Sequence, residues 1–166
     1  MVDAVAPIPV VASGGIFDGR GLAAALMLGA VGVNLGTRFL ASPESQIESD
    51  WLEAILRAQS EDAIKADVLN DVNPLPGTGG YGTVLRSLLT PFLRDWGPRR
   101  AAAAAERDRL RAEMVAATAS GRRADYLATA GQTAGAIKTV LPVAKIIQQM
   151  VAGAETLLRN ETSFPA

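Results

Sequence analysis

The chain has 166 residues, 49% of them apolar, with 16 basic and 17 acidic side chains and a formal net charge of −1. That apolar content excludes a disordered chain, and the balanced charge gives no electrostatic footprint for nucleic acid or an anionic membrane. Cysteine and histidine are both absent, which excludes disulfides, thiol nucleophiles and the usual nitrogen and sulfur ligands of zinc.

The first element is a strand at Pro9-Val10-Val11-Ala12, short, apolar and β-branched without polar alternation, as a strand covered on both faces reads. It ends at Ser13-Gly14-Gly15, where glycine accepts positive φ and lets a ligand approach the backbone. Asp18 is placed to cap a helix over Gly21 to Leu28, and Gly29 closes it. A second apolar run, Val31 to Leu35, ends at Gly36-Thr37. Two glycine-ended strands joined through a helix form a βαβ unit with bare amides at both carboxyl ends. In a TIM barrel the loops after the seventh and eighth strands commonly hold a phosphate there. The other reading of the same glycines is tight packing in an ordinary α/β turn.

Ser42-Pro43-Glu44-Ser45 reads as a helix start. Ile47, Trp51, Leu52, Ile55 and Leu56 then recur at helical spacing, with Trp51 expected as a core anchor. A short strand is expected within Ala63 to Val72. Asn73 to Gly82 holds two prolines and four glycines and reads as a loop. Val84 to Trp96 has roughly helical spacing with Pro91 as a break. Arg86, Arg94, Arg99 and Arg100 form either a basic patch or a solvated, salt-bridged face, and the nearby acids favour the second. One helix is expected from Pro98 to Ala119, with Leu110, Met114 and Val115 facing inward and Gly121 ending it. Gly131, Gln132 and Gly135 suit a close packing site, or a glutamine contact to a ligand. Pro142 to Leu158 reads as an amphipathic helix with Val143, Ile146, Ile147, Met150 and Leu157 on its apolar side.

The segment Ser13 to Leu40, SGGIFDGRGLAAALMLGAVGVNLGTRFL, resembles the nitronate monooxygenases, FMN-dependent TIM barrels related to flavin-dependent enoyl reductases. The resemblance continues in YLATAGQTAGAI from Tyr126 to Ile137 and in LPVAKIIQQMVAGAETLL, and more loosely in GYGTVLRSLLTPFLRDW. A similar GGI…GA…GT pattern occurs in the IMP dehydrogenase group, but the AGQ stretch and the last helix favour nitronate monooxygenase. The resemblance implies an α/β fold: the C-terminal part of a TIM (β/α)8 barrel, strands 7 and 8, followed by a mainly helical region. It divides the chain into a barrel end over 1–60, a connector over 61–97 and C-terminal helices over 98–166. It also implies that Ser13, Gly14 and Gly15 hold the FMN phosphate from one side, and Asn34, Leu35, Gly36 and Thr37 from the other.

Family members place a histidine near the flavin's reactive edge, upstream of the matching segment; with no histidine here, no catalytic residue is carried over. A complete eight-stranded barrel needs about 200 residues or more. The chain is therefore expected to be a truncated form or fragment, with strand edges open to self-association. The activity implied is oxidation of a small alkyl nitronate to a carbonyl compound and nitrite. The alternatives are an enoyl reductase-like flavin oxidoreductase and a non-catalytic half-barrel. No secretory signal and no apolar run of about 18 residues is evident, so a cytoplasmic protein without membrane or nucleic-acid partners is expected.

Overall fold

The computed structural model describes residues 1–74 and 84–159. The expected loop over Asn73 to Gly82 therefore lies outside the described residues beyond Pro74. The chain forms two compact units, Met1–Gln46 with Thr139–Ala166, and Ile47–Lys138.

The first unit begins with a one-turn helix α1 (Val2–Val5) and the strand β1 (Val11–Ser13), which starts two residues and ends one residue later than expected. Helix α2 (Gly19–Met27) follows, then β2 (Gly32–Asn34). β1 and β2 pair in parallel, with Val11 opposite Gly32, Ala12 opposite Val33 and Ser13 opposite Asn34. Asp18 caps α2 as the sequence predicts: its carboxylate accepts from the amides of Arg20 and Gly21 at 3.1 and 3.2 Å. The helix ends as expected at Gly29, whose φ of 87° lets its amide reach Leu26 while that of Ala30 reaches Ala25. A four-residue helix α3 (Thr37–Leu40) follows β2 directly.

The helix expected from Ser42 is interrupted. Pro43–Ser45 makes a 3-10 turn, Gln46 turns left-handed at φ 51°, and α4 (Ser49–Arg57) starts only afterwards. Ser42 does not act as the cap, because its hydroxyl donates to the Phe39 carbonyl behind it at 2.7 Å.

In the second unit Trp51 is the core anchor expected of it: it is buried, its indole N–H donates to the Thr129 carbonyl at 3.1 Å, and Arg123 stacks over its ring. The short strand expected after Ala63 is β3 (Ala63–Lys65), which leads into α5 (Asp67–Val72). The helix expected from Val84 gives way to a strand, β4 (Arg86–Leu88), antiparallel to β3. Tertiary pairing overrides local spacing here. Ser87 is fully buried and bridged to Thr129, its hydroxyl donates to the Ala128 carbonyl, and Arg86 reaches the Ala63 carbonyl at 2.6 Å. Only α6 (Pro91–Trp96) is helical, capped by the Thr90 hydroxyl.

The long helix expected from Pro98 divides at Glu106 into α7 (Arg100–Ala105) and α8 (Arg107–Ala119). Leu110 and Met114 are buried as expected, but the third buried position is Ala117, and Val115 is 65% exposed. A buried seam at 110, 114 and 117 leaves residue 115 about 100° off it. The core joins Leu110 and Met114 to Val68, Leu69, Val72, Phe92 and Leu93. Arg99 lies over Trp96 and Arg100 pairs with Asp71 at 2.7 Å, so these arginines serve surface contacts rather than a free basic patch.

Helix α9 (Val143–Arg159) returns to the first unit. It buries Ile146, Met150 and Ala154, whereas Ile147 and Leu157, expected on the apolar side, are 48% and 43% exposed. The reason is the partner surface: α9 meets α2 at glycine, and a narrow seam suffices. A Cβ on Gly19 would stand 2.6 Å from the Ala154 nitrogen and 2.7 Å from the Met150 carbonyl oxygen. Gly135, in the 3-10 turn Gln132–Ala136, similarly lies against the backbone of Gln59 and Ser60.

Gly19→Ala and Gly135→Ala each force backbone apart and are expected to cost about 2–3 kcal/mol by chemical denaturation followed by circular dichroism. Gly97→Ala meets nothing beyond its chain neighbours, but at φ −52° and ψ −48° directly before Pro98 a Cβ is disfavoured by the proline ring, so it is expected to cost about 0.5–1 kcal/mol, less than either of the other two. Asp18→Ala removes the cap and is expected to cost about 1 kcal/mol. Burial opposes the Asp18 charge, but the Arg20 side chain and the Gly21 and Arg20 amides outweigh it and hold the carboxyl below its ordinary value. Its contribution is therefore present above about pH 4 and fades as pH falls through the lowered folded-state value. Wild type and Asp18→Ala should converge in stability in strong acid.

Candidate functional site: two strand ends and a buried arginine

The parallel register places Ser13 opposite Asn34, so β1 and β2 end side by side. Beyond β1, Gly14 and Gly15 take φ of 89° and 76°, a conformation that L side chains rarely adopt. Beyond β2, Gly36 precedes α3, and its carbonyl accepts from the amides of Phe39 and Leu40. A Cβ on Gly14, Gly15 or Gly36 would meet nothing within 4 Å, so the space beside both loops is open. Ser13, Gly14, Gly15, Asn34 and Gly36 are exposed, Leu35 is half-buried, and Thr37 is buried and engaged in a polar contact. All seven sequence-predicted positions thus lie at the carboxyl end of one strand pair, on its last residues, the two loops beyond them and the first residue of α3. At the start of α2 the amides of Arg20 and Gly21 are already occupied by Asp18.

Gln132 is exposed at the start of its 3-10 turn, and the close approach at this stretch belongs to Gly135 instead.

Arg38 was not singled out by the sequence reading. It directly follows Thr37 and is only 6% exposed. One terminal nitrogen, Nη1, donates to the Thr139 carbonyl at 3.0 Å, where the chain re-enters the first unit. The other, Nη2, is buried with no hydrogen-bond partner. Burial pushes its guanidinium below the ordinary arginine value, yet an arginine stays protonated in a protein. A small cavity of about 80 Å³ adjoins it, lined also by Phe17, Asp18, Gln149 and Met150. The available signal was a single cation in an otherwise uncharged stretch from Val31 to Ala41.

Within Ile47–Lys138 a roomier cavity of about 450 Å³ is lined by Met114, Val115 and Leu127 with Arg111, Arg123 and Tyr126. Asn73 and Thr118 line it as well. Among the described residues no cluster of three or more histidine, cysteine, aspartate or glutamate side chains is arranged to hold a metal. Among the same residues, no helix is long and apolar enough to cross a membrane.

The family model for nitronate monooxygenase matches residues 1–153. Nitronate monooxygenase npaC of Metarhizium robertsii is 39% identical over 162 residues, 92% of this chain and 43% of that protein. The (3aS,4S,5R,7aS)-5-hydroxy-7a-methyl-1-oxo-octahydro-1H-indene-4-carboxyl-CoA dehydrogenase of Mycobacterium tuberculosis is 39% identical over 137 residues, 81% of this chain and 29% of that protein. Among solved structures, nitroalkane oxidase from Streptomyces ansochromogenes superposes with a TM-score of 0.73 at 30% identity, over 94% of this chain and 42% of that one. The chain spans less than half the length of each of these proteins. With α/β architecture, the glycine-ended strand pair and a family match running from residue 1 to residue 153, this chain belongs to the nitronate monooxygenase family.

Proposed function

We propose that this chain supplies the phosphate-binding end of an FMN-dependent nitronate monooxygenase, with β1 and β2 as strands 7 and 8 of a (β/α)8 barrel. The observation that carries this reading is the register of β1 and β2, which sets two glycine-lined loops with open space beside them at one strand end. Loops of this composition let a phosphate approach the backbone closely and be met by amide donors. Ser13, Gly14 and Gly15 hold the FMN phosphate from one side, and Asn34, Leu35, Gly36 and Thr37 from the other. FMN, when bound, takes up the electrons withdrawn from the substrate, and the protein supplies binding and orientation.

The substrate of this reading is a small alkyl nitronate, which together with dioxygen as co-substrate gives a carbonyl compound and nitrite in the cytoplasm. No catalytic residue is assigned within these 166 residues. The chemistry is proposed for a barrel in which further strands cover β1 and β2, whose pairing among the described residues is confined to each other. Val11 and Val31, at 55% and 64% exposure, would gain cover there. Self-association through the same edges follows from the same geometry.

A second reading is favoured by the Mycobacterium tuberculosis relative, which is as similar in identity as the fungal nitronate monooxygenase. In it the same flavin site serves a dehydrogenase or reductase acting on a thioester-linked substrate. Nitrite release from an alkyl nitronate supports the first reading, and flavin-dependent turnover of a CoA thioester without nitrite release supports the second. A chain that binds phosphate but turns over neither substrate fits the non-catalytic half-barrel.

The cofactor site is tested by titrating the chain with FMN and with riboflavin, which lacks the phosphate. Tighter binding of FMN is expected. Gly36→Asp sets a carboxylate in open space without a left-handed backbone and should weaken FMN by at least about tenfold while sparing riboflavin. Equal binding of the two flavins by wild type would overturn the phosphate assignment.

A further inference from the structure

We propose that Arg38 is a positioning residue of the anion site at the ends of β1 and β2, its buried guanidinium being the fixed counter-charge for the phosphate group held there. This rests on the phosphate reading of the glycine loops, but its observations are separate. Between Pro9 and Ser42 the only charged residues are Asp18, Arg20 and Arg38. Asp18 and Arg20 cancel, because the Arg20 guanidinium meets one Asp18 oxygen at 2.7 Å and backbone amides occupy the other. The remaining charge is that of Arg38, which makes no ion pair among the described residues.

An isolated buried cation is costly, and a neutral side chain of similar length would pack in its place without that cost. The hydrogen bond from Nη1 to Thr139 does not account for the charge, since a neutral donor would serve it. Nη2 is buried and without a hydrogen-bond partner, and the one carboxylate lining the small cavity beside Arg38, that of Asp18, is already held by Arg20 and the Gly21 amide. Arg38 is the residue immediately after Thr37, on the one-turn helix that leaves the site. A dianionic phosphate monoester at the strand ends supplies a negative charge for which no acidic side chain of this stretch is free. The guanidinium does not touch the ligand. It acts through the start of α3, whose position it also fixes by its bond to Thr139.

The test uses the full chain as wild type, Arg38→Met and Arg38→Lys, read by thermal denaturation and by titration with FMN, riboflavin and inorganic phosphate. Arg38→Met should raise the midpoint of the ligand-free chain, lower FMN affinity by about tenfold or more, and leave riboflavin affinity within about twofold. Arg38→Lys keeps the charge and should keep most of the preference for FMN. A merely structural arginine would instead lower the ligand-free midpoint and weaken both flavins alike, which overturns the proposal. Unchanged FMN preference in Arg38→Met overturns it too and leaves the glycine site standing. If wild type itself shows neither FMN preference nor a phosphate-induced shift, the site reading fails first and this one with it. Should Arg38→Met yield no folded protein, Arg38→Lys decides: retained FMN preference supports the counter-charge, and its loss overturns it.

Discussion

The contact on which the first unit depends is between two backbones. Gly19 opens α2 and lies against the main chain of α9 around Met150 to Ala154, with no room for a side chain at the crossing. Helices that meet this closely gain dispersion along a short seam and lose it steeply with separation. Because Gly19 stands one residue after the Asp18 cap, the start of α2, the cap and the returning helix are fixed together. Three further ties follow the same return: Arg38 to Thr139, the Leu141 amide to Ala41, and the Val143 amide to the Glu44 carboxylate. A strand pair of three residues each would be marginal alone. Here the helix that joins the two strands, α2, is itself packed against a helix contributed from more than a hundred residues downstream.

This arrangement explains which parts of the fold were legible. Asp18, Gly29 and the strand ends are local chemistry, so the cap, the stop and the βαβ order can be read from consecutive residues. Trp51 was legible for a similar reason, since a large apolar ring in a periodic stretch has few destinations other than a core. Arg86 to Leu88 was not, because its conformation is set by Ala63, Ala128 and Thr129, which are distant in sequence. Val115, Ile147 and Leu157 were misplaced because periodicity marks an apolar stripe without saying how wide its partner is. Where the partner is glycine and alanine, the buried seam narrows and larger residues at its margin stay in water.

For the site, sequence reading located the loops but not the charge. Glycines announce themselves through their spacing after apolar runs. A buried arginine announces itself only by absence of company, and whether it has company is a three-dimensional fact. The proposed division of labour is coherent: neutral loops for a ligand to approach, and a buried cation held at the Thr139 carbonyl. Flexible surface lysines would give attraction without placement, whereas a guanidinium anchored to the Thr139 carbonyl has its position set before any ligand arrives.

Both tryptophans, Trp51 and Trp96, and both tyrosines belong to Ile47–Lys138. The unit that holds the glycine loops, the Gly19 crossing and Arg38 therefore has only phenylalanine as an aromatic reporter. Intrinsic indole fluorescence follows the Ile47–Lys138 unit and is silent on local loosening of the other. Fluorescence melts of this chain will overstate its cooperativity unless paired with a backbone signal. A tryptophan placed at an exposed site such as Leu28 would make the silent half visible.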